Sequence, residues 1–136
     1  MADLAKKLQL KINQSLAVIN PPKNYLANLK SELSDILFVP SRKIASATLI
    51  CVKNVEEVCN LVTPAIKAAN AEALFWVAYP KGTSGIKTDV NRDRLWEALD
   101  STGWRPVRLI ALDEIWSVMR FRPEGKVSQN DRISSI

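Results

Sequence analysis

Short apolar runs bounded by polar or proline residues recur along the chain and predict buried strands. Four of them are too short for buried helices and lie at residues 15–19, 36–39, 46–52 and 73–79. The fourth run, ALFWVAY, is apolar throughout, which is typical of a parallel strand covered on both faces. Two later runs, 107–112 and 115–121, are joined only through Asp113 and Glu114, so they predict an antiparallel hairpin.

Apolar residues at helical spacing lie between the strands. The clearest helix is expected over residues 54–69, where Asn54 is the N-cap and Glu57 stands at the capping-box position. Pro64 interrupts the pattern and predicts a kink, because its ring cannot continue regular α-helical hydrogen bonding. This helix joins two predicted strands and so indicates a parallel β-α-β unit with a right-handed crossover.

The order of the predicted elements is that of an α/β domain. Further helices are expected over residues 25–33 and from about Asp89 to a stop at Gly103, which gives the order β-α-β-β-α-β-α-β-β. We therefore expect a three-layer sandwich of about six strands, mostly parallel, with a C-terminal antiparallel hairpin. A single domain is predicted over residues 1–123, followed by a polar C-terminal tail over residues 124–136.

Composition excludes several classes of protein. The 136 residues are 47% apolar, which excludes intrinsic disorder for the bulk of the chain, and no apolar run approaches the ~20 residues of a membrane span. The chain has no histidine, so the commonest general base and metal ligand is missing, and no metal site is expected. Cys51 and Cys59 are expected to be free buried thiols of a cytoplasmic protein.

The positive charge is spread along the chain. The net charge is +5, with +2 in residues 1–40, +1 in residues 41–80 and +2 in residues 81–136. Such a spread supports solubility and weak attraction to anions, and it does not favour nucleic acid as a partner. The partners that we expect are a small anionic ligand, a protein or a second copy of the chain, with no membrane.

Motifs in the second half of the chain are similar to those of a known family. They are LFWVAYPKGTSG at 74–85, D-x-x-R-D-x-L-W at 89–96, GWRPVR at 103–108 and DEIWS-x-x-RFRP at 113–123. With them the chain resembles, over roughly residues 14–123, a small bacterial family of stand-alone domains with no established activity. These domains resemble a truncated S-adenosylmethionine-dependent methyltransferase. The resemblance implies a Rossmann-like sheet in the order 2-1-3-4-6-5, without the third strand of the full fold, and implies no particular reaction.

The chain departs from the methyltransferase pattern where the cofactor would bind. That fold places several glycines after its first strand, whereas this chain has NPPKNY from Asn20. It also places an acid after the second strand for the ribose hydroxyls, whereas this chain has VPSRK from Val39. We therefore expect no cofactor, and we expect S-adenosylmethionine not to bind at physiological concentration.

The segment after the fourth strand is the candidate ligand site. It lies at the carboxyl end of a central strand, where open α/β sheets bind ligands, and comprises Tyr79, Lys81, Gly82, Thr83, Ser84 and Gly85. A lysine, two hydroxyls and backbone N–H groups favour a phosphate or carboxylate, although the pattern is not that of a Walker loop. The alternative interpretation is an ordinary strand-to-helix connection.

Other polar and aromatic residues have plainer interpretations. Asp89 is expected to cap a helix, and Arg120 and Arg122 are expected at a solvated strand end instead of an anion clamp. Core packing is expected for the four tryptophans, with a stacking surface as the alternative: Trp76, Trp96, Trp104 and Trp116. Two functions stay open, namely a non-catalytic Rossmann-like binding module and a divergent S-adenosylmethionine-dependent methyltransferase, and no catalytic residue is assigned.

Overall fold

The computed structural model describes residues 8–11, 14–21, 25–33, 36–39, 47–67, 74–81, 88–112 and 114–123. The strands are β1 (Ser15–Ile19), β2 (Leu37–Phe38), β3 (Ala47–Cys51), β4 (Leu74–Pro80), β5 (Trp104–Ala111) and β6 (Trp116–Pro123). The helices are α1 (Tyr25–Glu32), α2 (Val55–Glu57), α3 (Thr63–Lys67) and α4 (Arg92–Leu99). A π-helical segment (Val58–Val62) joins α2 to α3, and a 3-10 turn (Asp100–Thr102) follows α4. The predicted tail, 124–136, lies outside the described residues.

The strands form one six-stranded sheet in the order β2-β1-β3-β4-β6-β5. The pairs β1–β2, β1–β3 and β3–β4 are parallel, whereas β6 runs antiparallel to both β4 and β5. The predicted α/β class, strand order and C-terminal antiparallel hairpin are therefore confirmed. Helices connect parallel neighbours because a parallel pair cannot be closed by a tight turn.

Proline explains the main difference between predicted and observed strand boundaries. β5 begins at Trp104 and includes Pro106, whereas the sequence predicted its start at residue 107. The proline is tolerated because β5 is an edge strand and its register with β6 shifts between Pro106 and Arg108. At the other end of the hairpin Ile115 lies before β6, and its carbonyl accepts a hydrogen bond from the Lys81 N–H at 2.8 Å.

The helix predicted over 54–69 is present, with an irregular middle. Its Asn54 cap is confirmed, since the Asn54 side chain accepts from the Glu57 N–H at 2.8 Å. A regular α-helix would bring the Pro64 ring against the carbonyl four residues earlier. The chain instead widens into the π-helical segment, in which the Thr63 N–H bonds to the Val58 carbonyl five residues back. The helix is described as far as Lys67, and residues 68–69 lie outside the described part.

Helices and chain segments cover both faces of the sheet. One core cluster includes Leu29 of α1 together with Trp76 of β4, and the other includes Leu95 of α4 together with Val77 of β4. Alternate residues of β4 thus belong to different cores, as expected for a strand buried on both faces. This arrangement makes the sheet the middle of three layers and leaves its carboxyl edge as the place where a site would lie.

Candidate functional site

The carboxyl ends of β1 and β3 meet at the point where the chain reverses its direction across the sheet. From β1 the chain crosses to β2, whereas from β3 it crosses to β4 on the other side, so β1 and β3 flank the topological switch point. Asn20 follows β1 with a φ of 58°, in the left-handed region. Its side-chain amide donates a hydrogen bond to the Cys51 carbonyl at 2.8 Å and thereby bridges the two strand ends.

Glu57 supplies a carboxylate to the same place. Its Oε2 accepts from the Asn20 amide at 3.2 Å, and its Oε1 accepts from the Lys53 N–H at 2.7 Å. In a regular capping box the glutamate would bond to the N–H of the cap residue itself, which here is Asn54. Glu57 instead bonds to the N–H of Lys53, one residue earlier, and its half-buried carboxylate also contacts Asn20 at the end of β1. The switch point is therefore occupied by polar groups of the chain that bond to one another.

Asp89 caps the helix that follows β3, and not the one that follows it in the sequence. Its Oδ1 accepts from the N–H of Val55, the first residue of α2, at 2.8 Å. The following helix, α4, is capped instead by Asn91, whose Oδ1 accepts from the Arg94 N–H at 2.9 Å. The expectation that Asp89 caps a helix is confirmed, whereas the helix predicted to start at about Asp89 begins at Arg92, with Asn91 at its N-cap position.

Thr88 fastens the end of the connection between β4 and α4. Its hydroxyl donates to the Lys53 carbonyl and accepts from the Val90 N–H, the latter at 3.1 Å. Together with Asp89 it ties the end of the β4–α4 connection to the β3–α2 turn. Thr88 and Asp89, which come after the candidate segment in the sequence, therefore lie beside the switch point.

The structure places only part of the predicted ligand site. Lys81 is half-buried, and its backbone is held by Ile115 directly after β4. Tyr79 is 5% exposed and packs in the core that includes α4. The other predicted residues, Gly82, Thr83, Ser84 and Gly85, lie outside the described residues. The site as a whole therefore stays a prediction.

Tyr79 and Cys51 are both held in their neutral forms. Burial raises the pKa of the Tyr79 phenol above 10.0, while Arg92 and a hydrogen bond with Ser117 lower it and Asp93 raises it. Burial also raises the pKa of the Cys51 thiol to about 12, and the charge of Glu57 acts in the same direction. A buried, protonated thiol is a poor nucleophile, so Cys51 has the chemistry of a core residue.

Cys59 and Arg120 differ from expectation. Cys59 is exposed, because its position on the π-helical segment faces away from the core, so the expectation of two buried thiols was wrong. Arg120 is half-buried and its guanidinium donates to the Gln9 side chain, so it does not lie at a fully solvated strand end.

The expected packing of the tryptophans is confirmed. Trp76, Trp104 and Trp116 are buried, and Trp96 is half-buried.

Two further properties bear on the chemistry of the site. Within the described residues, no three side chains of the His, Cys, Asp and Glu types are placed to hold a metal ion. No helix in the same part of the chain is long and apolar enough to cross a membrane.

Sequence reasoning missed the bonded network at the switch point. Asn20 and Glu57 are 37 positions apart, and Val55 and Asp89 are 34 apart, so no local spacing reveals these contacts. Asn20 itself carried a signal, because asparagine directly after a buried strand tolerates the left-handed conformation that a sharp turn needs.

No protein family model matches the sequence, and no curated protein matches it. Solved structures are similar to the chain in fold. A protein of the NADB-Rossmann superfamily from Streptococcus agalactiae has a TM-score of 0.53 at 8% identity, over 90% of this chain and 68% of that one. The m1A22 tRNA methyltransferase TrmK of B. subtilis has a TM-score of 0.53 at 11% identity, over 93% and 70%. The ribosomal protein L11 methylase of Lactobacillus delbrueckii subsp. bulgaricus has a TM-score of 0.51 at 7% identity, over 90% and 77%. The chain therefore has the Rossmann-like α/β fold of methyltransferases, with an antiparallel β4-β6-β5 region.

Proposed function

We propose that this chain is a non-catalytic Rossmann-like module that binds a small anionic ligand at the segment after β4. The observation that carries the proposal is the bonded network at the switch point. The Asn20 amide, the Glu57 carboxylate and the Lys53 N–H bond to one another there. Groups that already have partners are poor donors to a ligand, and the carboxylate repels an anion.

The distribution of charge supports an anion site nearer to β4. Lys81 directly follows that strand, whereas Arg92 and its ion-pair partner Asp93 both lie close enough to Tyr79 to influence the pKa of its phenol. The acids Glu57 and Asp89 lie on the side of β3 and α2. Lys81 is therefore the charge on the β4 side that would attract an anion. A protein partner or a second copy of the chain at this segment is the alternative occupant.

The test compares Lys81→Ala with Lys67→Ala, which removes an exposed lysine from the end of α3. Isothermal titration with inorganic phosphate and with a nucleotide measures affinity, and thermal denaturation measures stability. We expect Lys81→Ala to weaken binding about tenfold, as for loss of one charge-assisted hydrogen bond, with Tm nearly unchanged. Lys67→Ala should change neither quantity. If the affinity of Lys81→Ala holds while its Tm falls, Lys81 has a structural role and the proposed site is wrong.

A divergent S-adenosylmethionine-dependent methyltransferase is the second candidate function, favoured by the fold likeness to known methyltransferases. The described residues at the switch point do not fit this cofactor, because the Asn20 amide spans the gap between the ends of β1 and β3. We therefore expect no heat of binding in a titration with S-adenosylmethionine at physiological concentration. A micromolar Kd would contradict the first proposal and assign the chain to the enzyme class.

A further inference from the structure

The β5–β6 hairpin brings four arginines together on one face of the sheet. Arg105 lies directly opposite Arg122, and Arg108 lies directly opposite Arg120. Opposite residues of antiparallel strands point to the same face, and residues two apart along a strand share a face. We name the set Arg105, Arg108, Arg120 and Arg122 the arginine face. The four residues are dispersed in the sequence, and the register of the hairpin collects them.

Two successive arginine pairs are unusual because like charges directly opposite each other destabilise a sheet. Every guanidinium in the set is charged at neutral pH. The Nη1 of Arg105 lies 3.3 Å from the Asp100 carboxylate and donates to the Asp100 and Trp104 carbonyls, and Arg120 donates to the Gln9 side chain. Arg122 also has a partner within the chain. Arg108 is exposed, and the other three are half-buried. The arginine face therefore gathers four cationic groups on the hairpin, and a bound anion would reduce the repulsion within it.

The spacing of the pairs suits two anionic groups in a row. Arg120 and Arg122 are two residues apart on β6, which separates the pairs by about 7 Å along the strand, whereas opposite residues lie about 5 Å apart. A guanidinium binds phosphate oxygens in a bidentate manner. β5 is the last of the described strands in the sheet order, so the arginine face lies on the outermost described hairpin. Small ligands favour concave sites, whereas an extended polyanion can lie along a strand pair.

We propose that the arginine face binds the sugar–phosphate backbone of a nucleic acid strand, with each arginine pair contacting one of two successive phosphates. Such contacts fix position and carry no sequence information, so binding is sequence-independent and depends steeply on salt. The face belongs to the hairpin and is distinct from the proposed small-anion site after β4. Either site can be present without the other.

The test measures fluorescence anisotropy of a labelled single-stranded RNA homopolymer as the intact chain is added, between about 50 and about 200 mM salt. The variant is Arg108→Gln with Arg122→Gln. The matched control is Lys67→Gln with Arg94→Gln, which removes two exposed charges from the helices on the opposite face. We expect the slope of log Kd against log salt to fall by about 1.4 in the variant and to stay unchanged in the control.

Thermal denaturation shows whether each variant is folded. If the double variant does not fold, Arg108→Gln, at an exposed position, tests the same expectation with a slope reduced by about 0.7. Three outcomes would overturn the proposal. The first is no binding by the unmodified chain at about 50 mM salt. The second is equal weakening in the control, which would indicate net charge only. The third is competition by polyglutamate as strong as by unlabelled RNA, which would indicate an acidic protein partner.

Discussion

Asn20 combines an uncommon backbone conformation with a bridging side chain. Its φ of 58° lies in the left-handed region, and its amide bonds to the Cys51 carbonyl and to Glu57. Most residues avoid this backbone region, whereas asparagine tolerates it better and glycine enters it freely. One residue therefore both turns the chain after β1 and occupies the switch point.

Two substitutions at Asn20 separate these roles. Both Asn20→Gly and Asn20→Ala remove the bridge, which contributes about 1 kcal/mol as a typical hydrogen bond does. Only alanine also places a β-carbon in the left-handed region, at about 1–2 kcal/mol. We expect the free energy of unfolding, measured in urea, to fall more for Asn20→Ala than for Asn20→Gly by about 1 kcal/mol. Equal stabilities would show that the backbone conformation at residue 20 carries no strain for alanine.

Cys51 predicts a loss of stability at alkaline pH. Its thiol has a pKa of about 12 in the folded chain, against an ordinary value of 9.0, because burial and the charge of Glu57 disfavour the thiolate. From pH 9.0 to about 12 the unfolded chain releases a proton that the folded chain retains, so stability falls as pH rises. Below pH 9.0 both states keep the proton and this effect is absent. The stability difference between the unmodified chain and Cys51→Ala should therefore change with pH above 9.0, by up to about 1.4 kcal/mol per pH unit. Cys59→Ala, at an exposed position, is the control and should run parallel to the unmodified chain.

The start of α2 is fixed by a side chain from the β4–α4 connection. The Asp89 carboxylate accepts from the Val55 N–H, so the cap joins two elements that are distant in sequence. We expect Asp89→Ala to lower the free energy of unfolding by about 1 kcal/mol, the usual value of a helix cap. Hydrogen exchange at the Val55 amide should also accelerate more than exchange at amides of β3. Asp93→Ala removes an exposed acid paired with Arg92 and should cost less than about 0.5 kcal/mol. A loss as large as that of Asp89→Ala would show that both variants report only the change in charge.

Element by element, the sequence predicted well wherever burial determined the pattern. β3 and β4 are buried almost along their whole lengths, and their apolar runs predicted them within one residue at each end. The errors lie where tertiary position overrides a local rule. Pro106 is accommodated by an edge strand, and the helix predicted from about Asp89 begins at Arg92, whereas Asp89 serves a helix other than the next one along the chain. A single sequence does not show which strand will be at an edge until the whole sheet is assembled.

At the scale of the whole molecule, the fold was more predictable than the site. Strand order follows from crossover handedness and from the resemblance to methyltransferases, both of which depend on long stretches of chain. The polar network at the carboxyl edge depends on single contacts between distant residues such as Asn20 and Glu57. The arginine face depends on the register of one hairpin, since a slip of one residue would move its side chains to the opposite face.

The shared sheet also predicts how the molecule unfolds. Trp76 and Val77 are adjacent in β4 but belong to the two different core clusters, so unfolding of β4 disrupts both cores at once. Leu29→Ala acts on one core and Leu95→Ala on the other, and each should lower the free energy of unfolding by about 2–5 kcal/mol. In urea, tryptophan fluorescence and far-ultraviolet circular dichroism should give one coincident transition for the unmodified chain and for both variants. If the two cores were independent, Leu29→Ala would separate the two curves and leave a second transition at the original midpoint, and a single cooperative unit would be ruled out.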